Sequence, residues 1–245
     1  MYFTHSIQFP FTKTIISFKE LTCYQSSNLI KINTNYPPEA DYRVDYHKLL
    51  IEIIKDSVKE KENIFKLNII EFLMLCIRIR TLSISSTLEI SLDTEKNTNA
   101  IINFYDVLFN ILNISNLIKK YEFIKHEDTE IYLNWPLLQN EEYFLSTIKN
   151  EYITRFLDAI PTFIQTIKIK DKIFDFNLFD AEQKKQLMES LPASIKNKVQ
   201  TNIISLLKEI SDIQIFGIKQ FEQYKLEFFN ATIQDLIRFL FAGSE

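Results

Sequence analysis

Glycine is nearly missing from this chain: Gly217 and Gly243 are the only two in 245 residues. Phosphate-cradling loops need several glycines within a few residues, so a P-loop and a dinucleotide-binding fingerprint are both excluded. Cysteine is as scarce. Cys23 and Cys76 stand alone, outside any CxxC and without a second Cys/His pair at metal spacing, so no metal site is expected. Cys76 lies on an apolar helical face and is expected to be a buried, inert thiol, which fits a reducing compartment. The three histidines, His5, His47 and His126, are scattered and read as surface residues. No Ser, Cys or Thr sits in a glycine-flanked elbow of the kind that exposes a nucleophile. Carboxylate pairs such as Glu127/Asp128 and Glu141/Glu142 lie in polar text, where solvated faces are expected. Long apolar runs are missing too. A membrane-spanning helix needs about 18 apolar residues, and the nearest stretch, 69–79, is shorter and carries Glu71 and Arg78. No secretory signal is expected, because residues 1–16 alternate and Lys13 interrupts them. Excess positive charge is lacking as well. A net charge of −4 gives no overall electrostatic reason to bind nucleic acid or an anionic membrane.

What is present is apolar and aromatic. Hydrophobic residues make up 46% of the chain, enough for a sizeable core, and there are 21 Phe and 11 Tyr. Ile, Asn and Lys crowd the rest, a bias that an AT-rich genome explains without reference to function. The text is organised around residues 68–92. Ile69, Phe72, Leu73, Cys76 and Ile77 recur at the spacing of one helical face. Asn68 before Glu71 suggests a capping box, and Arg78 and Arg80 close the helix where cations complement its dipole. At 100° per residue the two arginines lie about 200° apart, so they cannot share a face. One is expected to anchor a buried carboxylate or the hairpin that follows. After Arg80 the period changes. Leu82 and Ile84, then Leu88, Ile90 and Leu92, alternate with polar residues as a strand pair turning at Ser85-Ser86 would.

The rest of the chain reads in order. Residues 1–18 give short strands broken near Pro10. A helix follows from Phe18, with Ser17 and Glu20 as its capping box. Residues 33–45 are a loop around Pro37-Pro38, and Asp45 caps a helix over 46–59. Residues 101–118 read either as one helix or as a strand and a short helix; the second reading, with the helix near 113–120, is favoured. Residues 121–133 form a hairpin. Helices are expected over 141–148 and 151–160, the latter broken or kinked at Pro161, and a strand over 163–171. Asp180 caps a helix over 181–190, and another begins at Pro192, capped by Ser190, and ends near 210. Short strands near 213–218 and 224–228 and an amphipathic helix over 232–241 complete the chain. The fold class is α+β: N-terminal strands and helices, a helix-to-hairpin core, and a helix-rich C-terminal half. A boundary near Pro136 divides residues 1–136, an α+β domain, from 137–245, a mostly helical region that either stands apart or packs with the first as one unit.

Three passages together resemble the T4-type bacteriophage baseplate protein family, its hub-assembly group. The first is the N-terminal strand pair running into Phe18-Lys19-Glu20. The second is Asn68-Ile69-Ile70-Glu71-Phe72-Leu73 followed by Arg78, Arg80 and Ser83, similar to a central acidic–aromatic helix that closes on an arginine and a serine-led hairpin. The third is residues 181–192, a helix, and the final YKLEF and DLIRFLF segments. The sequence departs from the family in the hairpin turn, where Ser85-Ser86 replace glycine. The resemblance implies a non-enzymatic phage tail protein that acts in baseplate hub assembly, as a structural hub subunit or an assembly chaperone. Its implied partners are other phage tail and baseplate hub proteins and the tape-measure protein, with no nucleic acid, membrane span or cofactor. Its implied location is the host cytoplasm during assembly or the virion tail baseplate. Glu71, Phe72, Arg78, Arg80, Phe228, Phe229 and Phe239 are the structural or interface candidates. The alternative is a soluble enzyme without a recognisable motif, which requires a deep pocket of clustered polar groups.

Overall fold

The helix over Ile69–Ser83 is where the rest of the protein meets. In the computed structural model, which describes residues 3, 5–35, 43–93, 98–138 and 160–211, every residue from Ile69 to Ile77 is buried. The periodicity suggested one apolar face, but a helix this apolar is enclosed on all sides. Asn68 starts it with a full capping box: its side chain accepts from Glu71 N, and the Glu71 carboxylate accepts from Asn68 N. That arrangement satisfies two of the amide groups that a helix start leaves without partners.

The described elements run in order as β1 (His5–Gln8), β2 (Ile15–Phe18), α1 (Cys23–Asn35), α2 (Arg43–Asp56), α3 (Ile69–Ser83), β3 (Thr87–Asp93), β4 (Thr98–Asn103), α4 (Phe104–Asn116), α5 (Ile118–Tyr121), β5 (Phe123–His126), β6 (Thr129–Leu133), β7 (Ile164–Ile169), β8 (Lys172–Asp175), α6 (Ala181–Ser190) and α7 (Ala193–Ser211). Short 3-10 turns cover Lys61–Lys66, Ile160–Phe163 and Phe176–Leu178. All pairing between the described strands is antiparallel. β1 pairs with β2, β3 with β4, and β5-β6-β7-β8 form one sheet in chain order. The protein is therefore α+β, as its sequence indicated.

Glycine scarcity leaves its mark on the turns. Lys13, Glu127 and Lys170 adopt φ of 58°, 52° and 52°, the left-handed region that glycine enters most easily. Glu127 and Lys170 begin the two-residue turns of neighbouring hairpins in the four-stranded sheet, and Lys170 N donates to Asp128 O across them.

Several boundaries differ from the sequence reading, each for a local reason. Ser17 belongs to β2 and does not cap a helix. Its N and Oγ both donate to the Glu60 carboxylate, at 2.7 and 3.2 Å. The reciprocal cap forms at Thr22, which exchanges hydrogen bonds with Gln25 as α1 begins. Asp45 lies inside α2, which starts at Arg43, and α1 continues to Asn35. α3 continues through Leu82 to Ser83, so Ser85-Ser86 connect helix to strand, and β3 finds its hairpin partner downstream in β4. After β4 the chain becomes helical at Phe104, because the Asn103 side chain accepts from Tyr105 N and caps α4. Ser190 ends α6 and donates to Leu187 O, while Pro192 O receives the first amides of α7. The Asp180 cap is present as read, reciprocated by Gln183. Pro161 lies in the 3-10 turn over Ile160–Phe163. The helix expected over 141–148, residues 151–159 of the helix expected over 151–160, and every element expected beyond 211 lie outside the described residues, as do Phe228, Phe229 and Phe239.

Backbone contacts cross the position of Pro136. Ile69 N donates to Pro136 O, Leu138 N donates to Leu67 O, and β6 pairs with β7. Trp135, fully enclosed, donates from its indole to Ser115 O at 3.0 Å. These contacts fix α3 between the N-terminal strand pair, the β3-β4 hairpin with α4, and the four-stranded sheet.

Candidate docking surface

Glu71, Phe72 and Arg80 are held inside the protein. Glu71 is fully buried, and one carboxylate oxygen accepts from Phe11 N at 2.8 Å and Thr12 N at 3.0 Å. It thereby fastens the β1-β2 loop to the start of α3. Phe72 is enclosed in the core. Arg80 lies over the Phe104 ring, 4.1 Å from its centroid, and donates to Ser85 O. Burial pushes its pKa down to about 10, so it remains a cation at neutral pH. Its contacts hold the α3–β3 connection against the start of α4. These three residues can support a surface but cannot be touched by a partner while the fold is intact.

Arg78 is placed differently. It is half-buried, and its guanidinium stands over the Tyr105 ring at 5.7 Å. Leu82 follows one turn along α3, and Phe109 one turn along α4 from Tyr105, so each pair shares a helix face. Tyr105 is 52% exposed, Phe109 64% and Leu82 36%. Ile101, at the end of β4, is also exposed. Among the described residues no carboxylate lies within ion-pair distance of Arg78. Large aromatic side chains with a cation among them are the residue types that carry most binding energy in protein interfaces. Among the other exposed apolar residues, Tyr24 and Leu178 lie on separate elements, as on most protein surfaces, while Phe123 and Tyr132 pair across β5 and β6 with ring centroids 5.1 Å apart.

Tyr105, Phe109 and Ile101 were not singled out in the sequence, and Leu82 was assigned to a strand pair. Reading 101–118 as a strand and a late helix puts Tyr105 in alternating text and hides its pairing with Phe109. The signal was present in Asn103 followed by Asp106, a cap and a first-turn acid.

A cleft of about 370 Å³ opens between the β1-β2 loop, α4, α5 and the four-stranded sheet. Lys13, Asn116, Lys119, Glu122, Asn134 and Gln165 contribute polar groups to it, and its lining includes no histidine, cysteine or serine. Nearby, Glu209 of α7 accepts from both Lys120 and Tyr121, which hold its carboxyl below the usual carboxylate range. Cys76 is buried and its thiol pKa is raised by desolvation, whereas Cys23 is exposed. Among the described residues, no group of three His, Cys, Asp or Glu could hold a metal, and no helix is long and apolar enough to cross a membrane.

The family model described as T4 bacteriophage base plate protein matches residues 2–215. The chain belongs to this family. No curated protein and no solved structure matches it. The match covers the strand pair, α3, the hairpin, the sheet and both late helices. Membership makes this a bacteriophage baseplate structural protein, placed at the tail baseplate and in contact with other baseplate proteins.

Proposed function

We propose that this baseplate protein acts without chemistry, through protein–protein interfaces, in assembly of the baseplate hub. It does so as a hub subunit or as an assembly chaperone, in the host cytoplasm while tails are being built. The family match over residues 2–215 carries the reading. The residue types on the surface support it: Tyr105 and Phe109 are exposed on one face of α4, with Arg78 over the Tyr105 ring, whereas the cleft offers lysines, amides and a single carboxylate. Hub proteins and the tape-measure protein are the partners this reading expects. On the same reading Phe228, Phe229 and Phe239 add apolar contact area, and the regions on either side of Pro136 work as one packed unit.

The test is genetic and visual. Nonsense codons placed in this gene of its phage should abolish complete hubs in electron micrographs of infected-cell lysates, and the chain supplied from a plasmid should restore them. Normal tails without the chain would refute the assembly role. Restoration that required an intact polar cleft, lost for example with Lys119→Ala and Glu122→Ala, would favour an enzyme.

A further inference from the structure

We propose that the surface formed by Arg78 and Leu82 of α3 and Tyr105 and Phe109 of α4 receives a helix of another baseplate chain. That helix lays apolar side chains on Leu82, Tyr105 and Phe109 and sets a carboxylate on Arg78. The inference rests on the baseplate reading and names the surface and the partner's chemistry.

The charge pattern selects this occupant. The chain carries a net charge of −4, yet the ionic group that stands over the exposed Tyr105 ring is a guanidinium. Glu89, an acid of the β3-β4 hairpin, is engaged by Asn99 at 2.8 Å. Asp106 occupies the first turn of α4, where it complements the helix dipole. Arg78 therefore presents its charge without a carboxylate among the described residues. An apolar partner alone would cover that cation and leave it unpaired, which is costly, whereas a carboxylate on the same partner face supplies a charge-assisted pair. The geometry favours a helix over a strand. Tyr105 and Phe109 stand as an apolar i, i+4 pair on α4, Leu82 stands one turn beyond Arg78 on the neighbouring α3, and ridges on two packed helices take a third helix between them. Strand addition would need a free sheet edge, and this surface has helices on both sides.

The test uses the full chain and the other baseplate proteins of the same phage, each purified and titrated singly by calorimetry. Wild type is compared with Arg78→Glu, Phe109→Ser and Leu178→Ser, the last being an exposed apolar residue away from the surface. Thermal melts confirm that each variant is folded. The expected result is binding to one baseplate chain that Arg78→Glu and Phe109→Ser each weaken by about 30-fold or more, a hot-spot effect, and that Leu178→Ser leaves alone. Replacing an acidic residue of the partner helix with Lys should restore binding to the Arg78→Glu variant. Wild-type binding that neither surface variant alters would overturn the inference while leaving the baseplate reading intact. Self-association lost in Phe109→Ser would also overturn it, assigning the surface to a second copy. No binding by wild type to any baseplate chain would count against the baseplate reading itself.

Discussion

Glu71 is the residue whose loss should cost the fold most for its size. Its buried carboxylate accepts from Phe11 N and Thr12 N and closes the capping box at Asn68 N. Glu71→Ala removes an acceptor from three amides at once. Hydrogen bonds to a charged group are worth about 1.5–3 kcal/mol each, and losing a cap costs about 1 kcal/mol. Partial rehydration of the half-buried loop amides reduces the sum to about 3–5 kcal/mol, a third or more of the stability of an ordinary domain. In a chain of this size that is a Tm lowered by about 10 °C. Glu71→Gln keeps the shape and one acceptor oxygen and should lose about 1–2 kcal/mol. Urea unfolding gives the free energies, and hydrogen exchange gives the local readout, in which the Phe11 and Thr12 amides lose protection first. A Glu71→Ala variant within about 1 kcal/mol of wild type, with those amides still protected, would refute the assignment of Glu71 as the clamp between the β1-β2 loop and α3.

Three further outcomes follow from the same structure. A thiol reagent should titrate one cysteine in the folded protein, Cys23, and both in urea; rapid reaction of two in the native state would contradict the burial of Cys76. Glu127→Gly should stabilise the protein by about 0.5–1 kcal/mol by relieving a left-handed backbone strained at a non-glycine residue, and an equal or lower Tm would show that the turn is not strained. The Glu209 carboxyl has a depressed pKa in the folded state, so its tie to Lys120 and Tyr121 stabilises above the unfolded carboxylate value of about 4.3 and is lost as pH falls through the folded value. The Tm difference between wild type and Glu209→Gln should therefore shrink toward zero on acidification, and a difference constant from about pH 7 to 3 would contradict the sign.

Local signals with one physical meaning were legible in the sequence. The Asn68/Glu71 and Asp180 caps, the β5-β6 hairpin and β7 could be read because each depends on residues a few positions apart. Ser17 misled because a serine followed three residues later by a glutamate looks like a cap, while its true partner, Glu60, lies 43 residues away. Residues 101–109 misled because apolar residues there satisfy both periods, and the choice was made by the Asn103 cap and by Arg80 packing on Phe104. Glu71, Phe72 and Arg80 could be recognised as special but not as buried, since burial depends on what surrounds α3. The docking surface was illegible for the same reason: Arg78 and Tyr105 are 27 positions apart by number and meet only when α3 packs on α4.

The most direct test of the central claim is the native mass of the complex formed when the full chain is co-expressed with the other baseplate proteins of its phage. The expected result is a discrete assembly containing this chain and at least one hub protein in fixed ratio, lost when Arg78→Glu and Phe109→Ser are combined. A chain that elutes alone as a folded monomer, with every hub protein present and properly assembled without it, would contradict the claim.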